Sequence, residues 1–294
     1  MVTLGRSNKI YGMSALNPPV LKIEQGTEVC FKTYDCYEDQ LLKEGSSFRQ
    51  IRRELENPAT GPVYVNGALP GDMLKIEIVA IDPGGTGILD AGKTSGPLKK
   101  FFPEKENEIR RVKISDGFIH FDNCRIIPVS PMIGVIGTAP ENGTVPNISP
   151  GDHGGNLDCT EIKAGNTLYL PVFHAGGLLS VGDVHALMGD GECGNCGVET
   201  GAGVTLKIGT GGPDMKFRFP VIESENSWMV LASSESLDQA ADLCAQRMLL
   251  FLNEKFGLSR ENSAYLIDML GNLKVCQIVN PLRTIRMEIG KTFI

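Results

Sequence analysis

The chain has 294 residues and a formal net charge of −7, with 41% hydrophobic and 21% charged residues. This length can bury a sizeable core, the composition excludes a disordered, fibrous or coiled-coil chain, and the acidic balance argues against nucleic acid or an anionic membrane as a partner. Since no run approaches the roughly 18 apolar residues of a membrane span and the first residues lack an apolar signal core, we expect a soluble cytoplasmic protein whose cysteines stay reduced.

Residues 20–230 contain short β-type runs interrupted by Gly, Pro, Asn and Asp. Within them, only residues 39–55 suggest an amphipathic helix. Three stretches place a turn glycine (Gly26, Gly71 and Gly165) directly before an alternating strand pattern. These features predict a mainly β fold, with a jelly-roll-like or barrel-like catalytic body over residues 1–232.

The pattern becomes helical after residue 232. Apolar residues recur at three- and four-residue spacing from Leu237 to Leu252, with serines before them and Gly257 after them, which predicts a helix. Ser259 can cap a second helix that ends at Gly271, and a strand is expected at residues 273–279. Residues 233–294 are therefore predicted to form a small α+β unit that serves packing or subunit contact. This unit can pack as part of the same domain as residues 1–232.

The segment 151–200 concentrates the chemistry of the chain. It holds three of the four histidines, seven acids, eleven glycines and a single base, Lys163. A salt-bridged surface network would need more cations than one lysine to balance seven acids. Glycine lets the backbone turn sharply and approach a bound group closely. This composition therefore favours a metal site.

The run Gly182-Asp183-Val184-His185 is strand-like, so Asp183 and His185 are expected on one face. Glu192 follows in a glycine turn, and Glu199 comes near the start of the next strand. Carboxylates combined with imidazole favour zinc or another first-row dication, whereas carboxylates alone favour calcium or magnesium. The predicted metal ligands are His185, Asp158, Asp183, Glu192 and Asp35, with zinc as the expected ion and calcium as a second ion beside it.

The glycine-rich loop at residues 151–158 supplies further candidates. Asp158 is favoured as a ligand and His153 as a ligand or proton carrier, although Asn and Asp residues also form turns through their own backbone. Asn156 and His174 are the predicted substrate-binding residues. The predicted acid/base residues are Glu199, Glu192 and His153, because crowded acids raise one another's pKa.

Other site types have little support in the sequence. Cys193 and Cys196 form the single Cys-x-x-Cys pair, whereas a zinc ribbon needs two, so a turn with buried thiols is expected there. The chain has no Gly-x-Ser-x-Gly elbow, no phosphate-binding Gly-Lys loop and no dinucleotide fingerprint.

Five stretches together resemble the acetamidase/formamidase family, over nearly the whole chain. They are residues 61–74, residues 151–158, residues 182–192 followed by Glu199, and the tail motifs at residues 237–240 and 265–268. Cys193-Gly194-Asn195-Cys196 departs from the family pattern.

This resemblance implies metal-dependent hydrolysis of formamide or acetamide to a carboxylate and ammonia, on a mainly β fold, by a homodimer or larger homo-oligomer. Two alternatives stay open. One is a metal-dependent hydrolase or lyase that acts on another small substrate. The other is a non-catalytic β-sandwich that holds a structural calcium ion.

Overall fold

The computed structural model describes residues 1–102, 106–212 and 215–294. The strands in chain order are β1 Val2–Leu4, β2 Lys9–Ile10, β3 Gly12–Ser14, β4 Leu21–Ile23, β5 Thr27–Lys32, β6 Ala59–Val65, β7 Met73–Pro83, β8 Thr86–Ala91, β9 Glu108–Ser115, β10 Phe118–His120 and β11 Ile126–Pro128. They continue with β12 Met132–Gly137, β13 Thr144–Pro146, β14 Gly154–Asn156, β15 Thr167–Pro171, β16 Leu179–His185, β17 Glu199–Thr200, β18 Ala202–Thr210, β19 Val221–Glu223, β20 Ser227–Ser234, β21 Asn272–Gln277 and β22 Arg283–Gly290. The helices are α1 Leu237–Phe256 and α2 Arg260–Leu270, with 3₁₀ turns at Arg53–Leu55, Gly96–Phe101 and Lys291–Phe293.

The strands form two large open sheets. The first has nine strands in the order β1-β5-β18-β7-β15-β19-β20-β22-β21. The second has eleven, with the path β11-β10-β9-β8-β17-β16-β12-β14 and with β6 joining β16 to β2 and β4. The mainly β class is confirmed, but the predicted barrel does not close, because the end strands of each path do not pair with each other.

The main core lies between these two sheets. Its buried side chains come from β5, β7 and β18 of the first sheet and from β6, β12 and β16 of the second, including Phe31, Ile76, Ile133, Val181 and Leu206. Because successive side chains of a strand point to opposite faces of the sheet, one face packs in this core and the other is left for different contacts. This packing holds β12 and β16 rigidly where they carry the candidate site.

The three predicted turn glycines each precede a strand, as expected. Gly26, Gly71 and Gly165 have φ values of 80°, 96° and 90° and lead into β5, β7 and β15 of the same sheet. A Cβ at any of the three would meet no atom within 4 Å. The left-handed backbone, rather than a lack of space, therefore explains these glycines.

Both predicted helices are present with their predicted caps. The Ser236 hydroxyl accepts from the backbone N–H of Gln239 at 3.2 Å, and Ser259 caps α2 in the same way through Asn262. Gly257 ends α1 in the left-handed region. α1 buries its apolar face against β20 and β22, which extend the first sheet. Among the described helices, none is long and apolar enough to cross a bilayer.

The prediction of a helix at residues 39–55 is wrong. The segment forms consecutive turns and a single 3₁₀ turn at Arg53–Leu55. The Asp35 carboxylate accepts from the backbone N–H groups of Tyr37 and Asp39, at 3.0 and 2.7 Å, which ties the chain into a local turn before a helix can start. Glu38 and Asp39 also have positive φ values, which a right-handed helix does not contain.

Candidate metal centre and active site

Three neighbouring strands, β17, β16 and β12, together with the chain that leaves β14, surround a small buried cavity in the second sheet. β16 carries Asp183 and His185, and Glu199 of β17 lies directly opposite His185 in the antiparallel register. Asp158 follows β14, and Glu192 lies in the loop between β16 and β17. The cavity has a volume of about 160 Å³. Five candidate residues from separate segments therefore meet in one place.

Three carboxylates that line this cavity surround the imidazole nitrogen of His185, which is itself not among the described lining residues. His185 Nε2 lies 3.1 Å from Glu199 Oε1, 3.4 Å from Asp183 Oδ1 and 3.9 Å from Asp158 Oδ1. None of these approaches has hydrogen-bond geometry. Because one N–H can serve only one acceptor well, hydrogen bonding does not explain three oxygens around this nitrogen. The arrangement is typical of ligands that share a cation.

The ligand atoms fall into two neighbouring groups that share no residue. Asp158, His185 and Glu192 each offer one atom within 4.8 Å of the other two, and so do Cys36, Asp183 and Glu199. The acids and His185 are at most 7% exposed. The following buried atoms have no hydrogen-bond partner among the described residues: Asp158 Oδ1, Asp183 Oδ1, His185 Nδ1, His185 Nε2, Glu192 Oε2 and Glu199 Oε2. Since an unpaired buried polar group costs about 1–3 kcal/mol, a bound cation would relieve several such penalties at once.

Three of the acids lie on strained backbone. The φ values of Asp158, Asp183 and Glu192 are 41°, 52° and 44°, in the left-handed region that residues with a side chain rarely occupy. Such conformations persist only where the surrounding structure imposes them, and they are concentrated at functional sites. The fold therefore aims these carboxylates at the cavity against their local preference.

Two glycines leave room for the ligands. A Cβ on Gly134 of β12 would stand 2.5 Å from Asp158 Oδ1 and 2.8 Å from Asp183 Oδ2. A Cβ on Gly197 would stand 2.7 Å from His185 Nδ1. These distances are shorter than any real contact, so both positions need glycine for space. Gly197 thus gives a geometric reason for glycine in the segment 151–200, whereas Gly134 lies outside that segment.

Burial and crowding shift the pKa values of the cluster upward. Burial raises the pKa of Glu199 to about 8 and that of Asp158 to about 6, and Asp183 adds to both shifts. Burial, with Asp158 beside it, also raises the pKa of Glu192 well above its ordinary value. Burial alone would lower the pKa of His185, but Glu199 and Asp183 outweigh it and raise that pKa. Without a cation, the cluster therefore holds protons that metal binding would displace.

A profile of the Acetamidase/Formamidase family matches residues 16–147 and 142–227. The chain belongs to the acetamidase/formamidase family. The resemblance seen in the motifs is thereby confirmed.

Two solved structures are similar to this chain over 99% of its residues. An acetamidase from Bacillus halodurans is 40% identical, with 99% of this chain and 98% of that chain covered and a TM-score of 0.94. A predicted acetamidase/formamidase from Thermoanaerobacter tengcongensis is 36% identical, with 99% and 96% covered and a TM-score of 0.96. A formamidase from Methylophilus methylotrophus is 24% identical over 65% of this chain, and the match spans 61% of that protein's length.

Sequence reasoning missed two residues at the centre of this family member. Asn280 donates from Nδ2 to Asp158 Oδ2 at 2.6 Å and to the Asn156 carbonyl at 3.1 Å. Cys36 places its buried sulfur beside Asp183 and Glu199. Asn280 lies 122 residues from Asp158 along the chain. No local pattern points to such a pairing. Cys36 could have been found from the sequence, because it directly follows the predicted ligand Asp35.

The remaining candidates occupy different places. Asn156 lines the cavity, as expected of a substrate-binding residue. Asp35 is fully buried, and burial raises its pKa to about 7, but one of its oxygens is committed to the Tyr37 and Asp39 N–H groups. Asp35 is not among the described residues that line the cavity.

His153 and His174 do not reach this cavity. His153 lines a separate cavity of about 230 Å³ with Asp152, Arg218 and others, where burial lowers its pKa to about 4. His174 is half-buried, with Nε2 lying 3.0 Å from the Pro140 carbonyl oxygen. Their predicted roles stay predictions without geometric support.

The Cys-x-x-Cys turn differs from expectation in one thiol. Cys193 is exposed, while Cys196 is partly buried and donates to Asp90 Oδ1 at 2.8 Å. The expected turn with two buried thiols is therefore correct only for the second cysteine. Asn195 and Cys196 line the cavity, so this turn forms part of its wall.

Proposed function

We propose that this protein hydrolyses short aliphatic amides, with formamide and acetamide as the first candidates, and that the reaction depends on a bound metal ion. The observation that carries the proposal is the meeting of His185 Nε2 with carboxylate oxygens of Glu199, Asp183 and Asp158 in a buried cluster. His185 Nε2 and the nearby oxygens of Asp183 and Asp158 have no hydrogen-bond partner among the described residues. Family membership and the acetamidase and formamidase relatives support the amide substrate. Because the match spans about 61% of the formamidase relative, its activity is carried over only as a proposal.

The residues at the site fit zinc. One imidazole and several carboxylates form a mixed nitrogen and oxygen donor set, and Cys36 adds a thiol at the edge of the group. Calcium prefers oxygen donors alone, so the imidazole favours a first-row metal over the structural calcium alternative. His185, Asp158, Asp183 and Glu192 would hold the ion. When bound, zinc lowers the pKa of its water towards about 7 and polarises a carbonyl.

The chain's own groups supply proton transfer and substrate orientation. An amide nitrogen leaves poorly as an anion, so it must receive a proton as the C–N bond breaks. Glu199 is positioned for this, because its carboxyl is buried in the cavity wall beside the candidate ligands. Asn156 Oδ1 is buried and without a partner among the described residues, so it can accept from the substrate NH₂ group.

Metal analysis combined with an ammonia assay tests the proposal. We expect close to one zinc per chain and ammonia release from formamide or acetamide that stops after chelation and returns with added zinc. Calcium alone, with no release from either amide, would replace the proposal by the structural-metal alternative. Metal-dependent turnover of a different small substrate would support the other alternative.

We expect the stability of the metal-free protein to fall as the pH rises. The pKa of Glu199 is about 8 in the folded protein against an ordinary 4.5. A carboxyl with a raised pKa favours folding below its unfolded pKa, and this contribution is lost as the pH rises through the folded pKa. His185 acts in the same direction, because its pKa is raised as well. Thermal unfolding between about pH 6.5 and 8 avoids the opposite effect of His153, whose lowered pKa acts below that range.

Zinc should reverse this trend. Its stabilising increment should grow over the same pH range, because deprotonated ligands bind the metal. Melting temperatures with and without zinc measure both effects, and Glu199→Gln is the matched variant with a weaker pH dependence. A metal-free protein that becomes more stable between pH 6.5 and 8 would contradict the electrostatics described here.

The predicted homo-oligomer stays a prediction. Exposed apolar side chains on the tail, namely Leu250, Tyr265, Met269 and Leu273, are available for such a contact.

A further inference from the structure

A second cavity adjoins the acidic one. It has a volume of about 400 Å³. Thr94, Asn195 and Val279 line both cavities, so the two spaces meet at these residues. We call the larger space the outer chamber and the smaller one the metal cavity.

Gly96, which lines the outer chamber, packs closely against the edge that the two spaces share. A Cβ on Gly96 would stand 2.9 Å from Val279 Cγ1 and 3.2 Å from the Cys193 carbonyl oxygen. The next residue after Val279 is Asn280, which holds Asp158 through its side-chain amide. The outer chamber is therefore fixed in position relative to the candidate ligands.

The two spaces differ in charge. The metal cavity is lined by five acids, namely Glu56, Asp158, Asp183, Glu192 and Glu199, and by one cation, Arg53, which pairs with Glu56 at 2.7 Å. Among the described residues that line the outer chamber, three are cationic and none is acidic, although the whole chain carries a net charge of −7. The cations are Lys93, Lys99 and Arg283.

These cations differ in how far they are already paired. Lys93 contacts Glu106 at 2.6 Å, with half of its side chain exposed. Arg283 donates to the Asn280 carbonyl through Nη1, which leaves other guanidinium donors. Lys99 is exposed and has no ion-pair partner among the described residues. The outer chamber thus retains uncompensated positive charge beside the metal cavity.

We propose that the site acts on amides whose acyl chain ends in a carboxylate, that is, the monoamides of short dicarboxylic acids. This inference rests on the proposed amidase function. The amide would occupy the metal cavity and the distal carboxylate the outer chamber, since the three cations of the outer chamber attract an anion. Water supplies the new C–O bond, the C–N bond breaks, and the nitrogen leaves as ammonia, so a monoanionic amide gives a dicarboxylate and ammonium.

Matched substrate pairs test this inference with the zinc-loaded protein. Malonamate, succinamate and glutaramate are compared with neutral amides of similar length, such as butyramide. We expect kcat/KM to favour one anionic amide over its neutral partner by about tenfold or more, on the order of one charge-assisted hydrogen bond. Added salt should reduce this preference.

The variants Lys99→Gln and Lys99→Gln/Arg283→Gln should lower kcat/KM for the anionic amide and leave the neutral amide unchanged. Lys113→Gln is the matched control, because it removes one positive charge from an exposed position of β9 outside the chamber. Succinate should inhibit more strongly than butyrate, and Lys99→Gln and Lys99→Gln/Arg283→Gln should reduce this difference. This comparison does not require that the anionic amide is turned over.

The outcomes separate the inference from the proposed function. If the protein hydrolyses acetamide but prefers butyramide to every anionic amide, the inference is wrong and the amidase proposal stands. An anionic preference that survives in Lys99→Gln/Arg283→Gln also overturns the inference. If no amide of either kind is hydrolysed with zinc bound, the amidase proposal fails, and the inference fails with it.

Discussion

Replacement of His185 by alanine is expected to remove zinc and to lower kcat/KM for acetamide by about 10³-fold or more. His185 is the one imidazole in the group of ligand atoms formed with Asp158 and Glu192. A metal that polarises the carbonyl contributes several kcal/mol, and each 1.4 kcal/mol corresponds to about a factor of ten in rate. Elemental analysis and an ammonia assay on the same preparation measure both losses.

The matched control for this prediction is His120→Ala. His120 lies at the end of β10 with Nε2 3.0 Å from Ser115 Oγ, and it does not line the metal cavity. This variant should keep zinc and activity, which separates the loss of a ligand from the general loss of a histidine. If His185→Ala retained zinc and full ammonia release, the metal centre would have to be placed elsewhere.

The part of the site that could be predicted from the sequence comes from short stretches of chain. Asp183 and His185 lie two residues apart on one strand, and Glu199 follows on the paired strand. The strand alternation was a correct guide, although Asp183 reaches the cavity through a left-handed backbone that no pattern indicates. Helix caps and turn glycines were predictable for the same reason, because each depends on a few neighbouring residues.

The unpredicted part depends on contacts between distant segments. His153 and Asp158 flank the short strand β14, yet they face different cavities, because Gly154 and Gly155 have φ values of 97° and 78° and turn the chain between them. Asn280 enters the site from the strand connection after β21. Such placements follow from sheet order and register, which local periodicity does not contain.

Glu199→Gln is expected to lower kcat for acetamide by about 10²–10⁴-fold while zinc stays near one per chain. Glutamine keeps the size of the side chain but cannot give a proton to the leaving nitrogen. The other candidate ligands, Asp158, Asp183, His185 and Glu192, remain in place in this variant. Zinc content and kcat measured on the same preparation therefore distinguish proton transfer from metal binding.

The leaving group provides the sharpest control for this role. The leaving group of an activated acetate ester departs as a stable anion and needs no proton. Glu199→Gln should therefore hydrolyse this ester at nearly the rate of the unchanged protein. Glu161→Gln is the matched substitution, because Glu161 belongs to the same acidic segment but pairs with Lys163 away from the cavity. A loss of zinc together with the loss of amide hydrolysis would instead make Glu199 a metal ligand, and equal losses on ester and amide would exclude it as the proton donor.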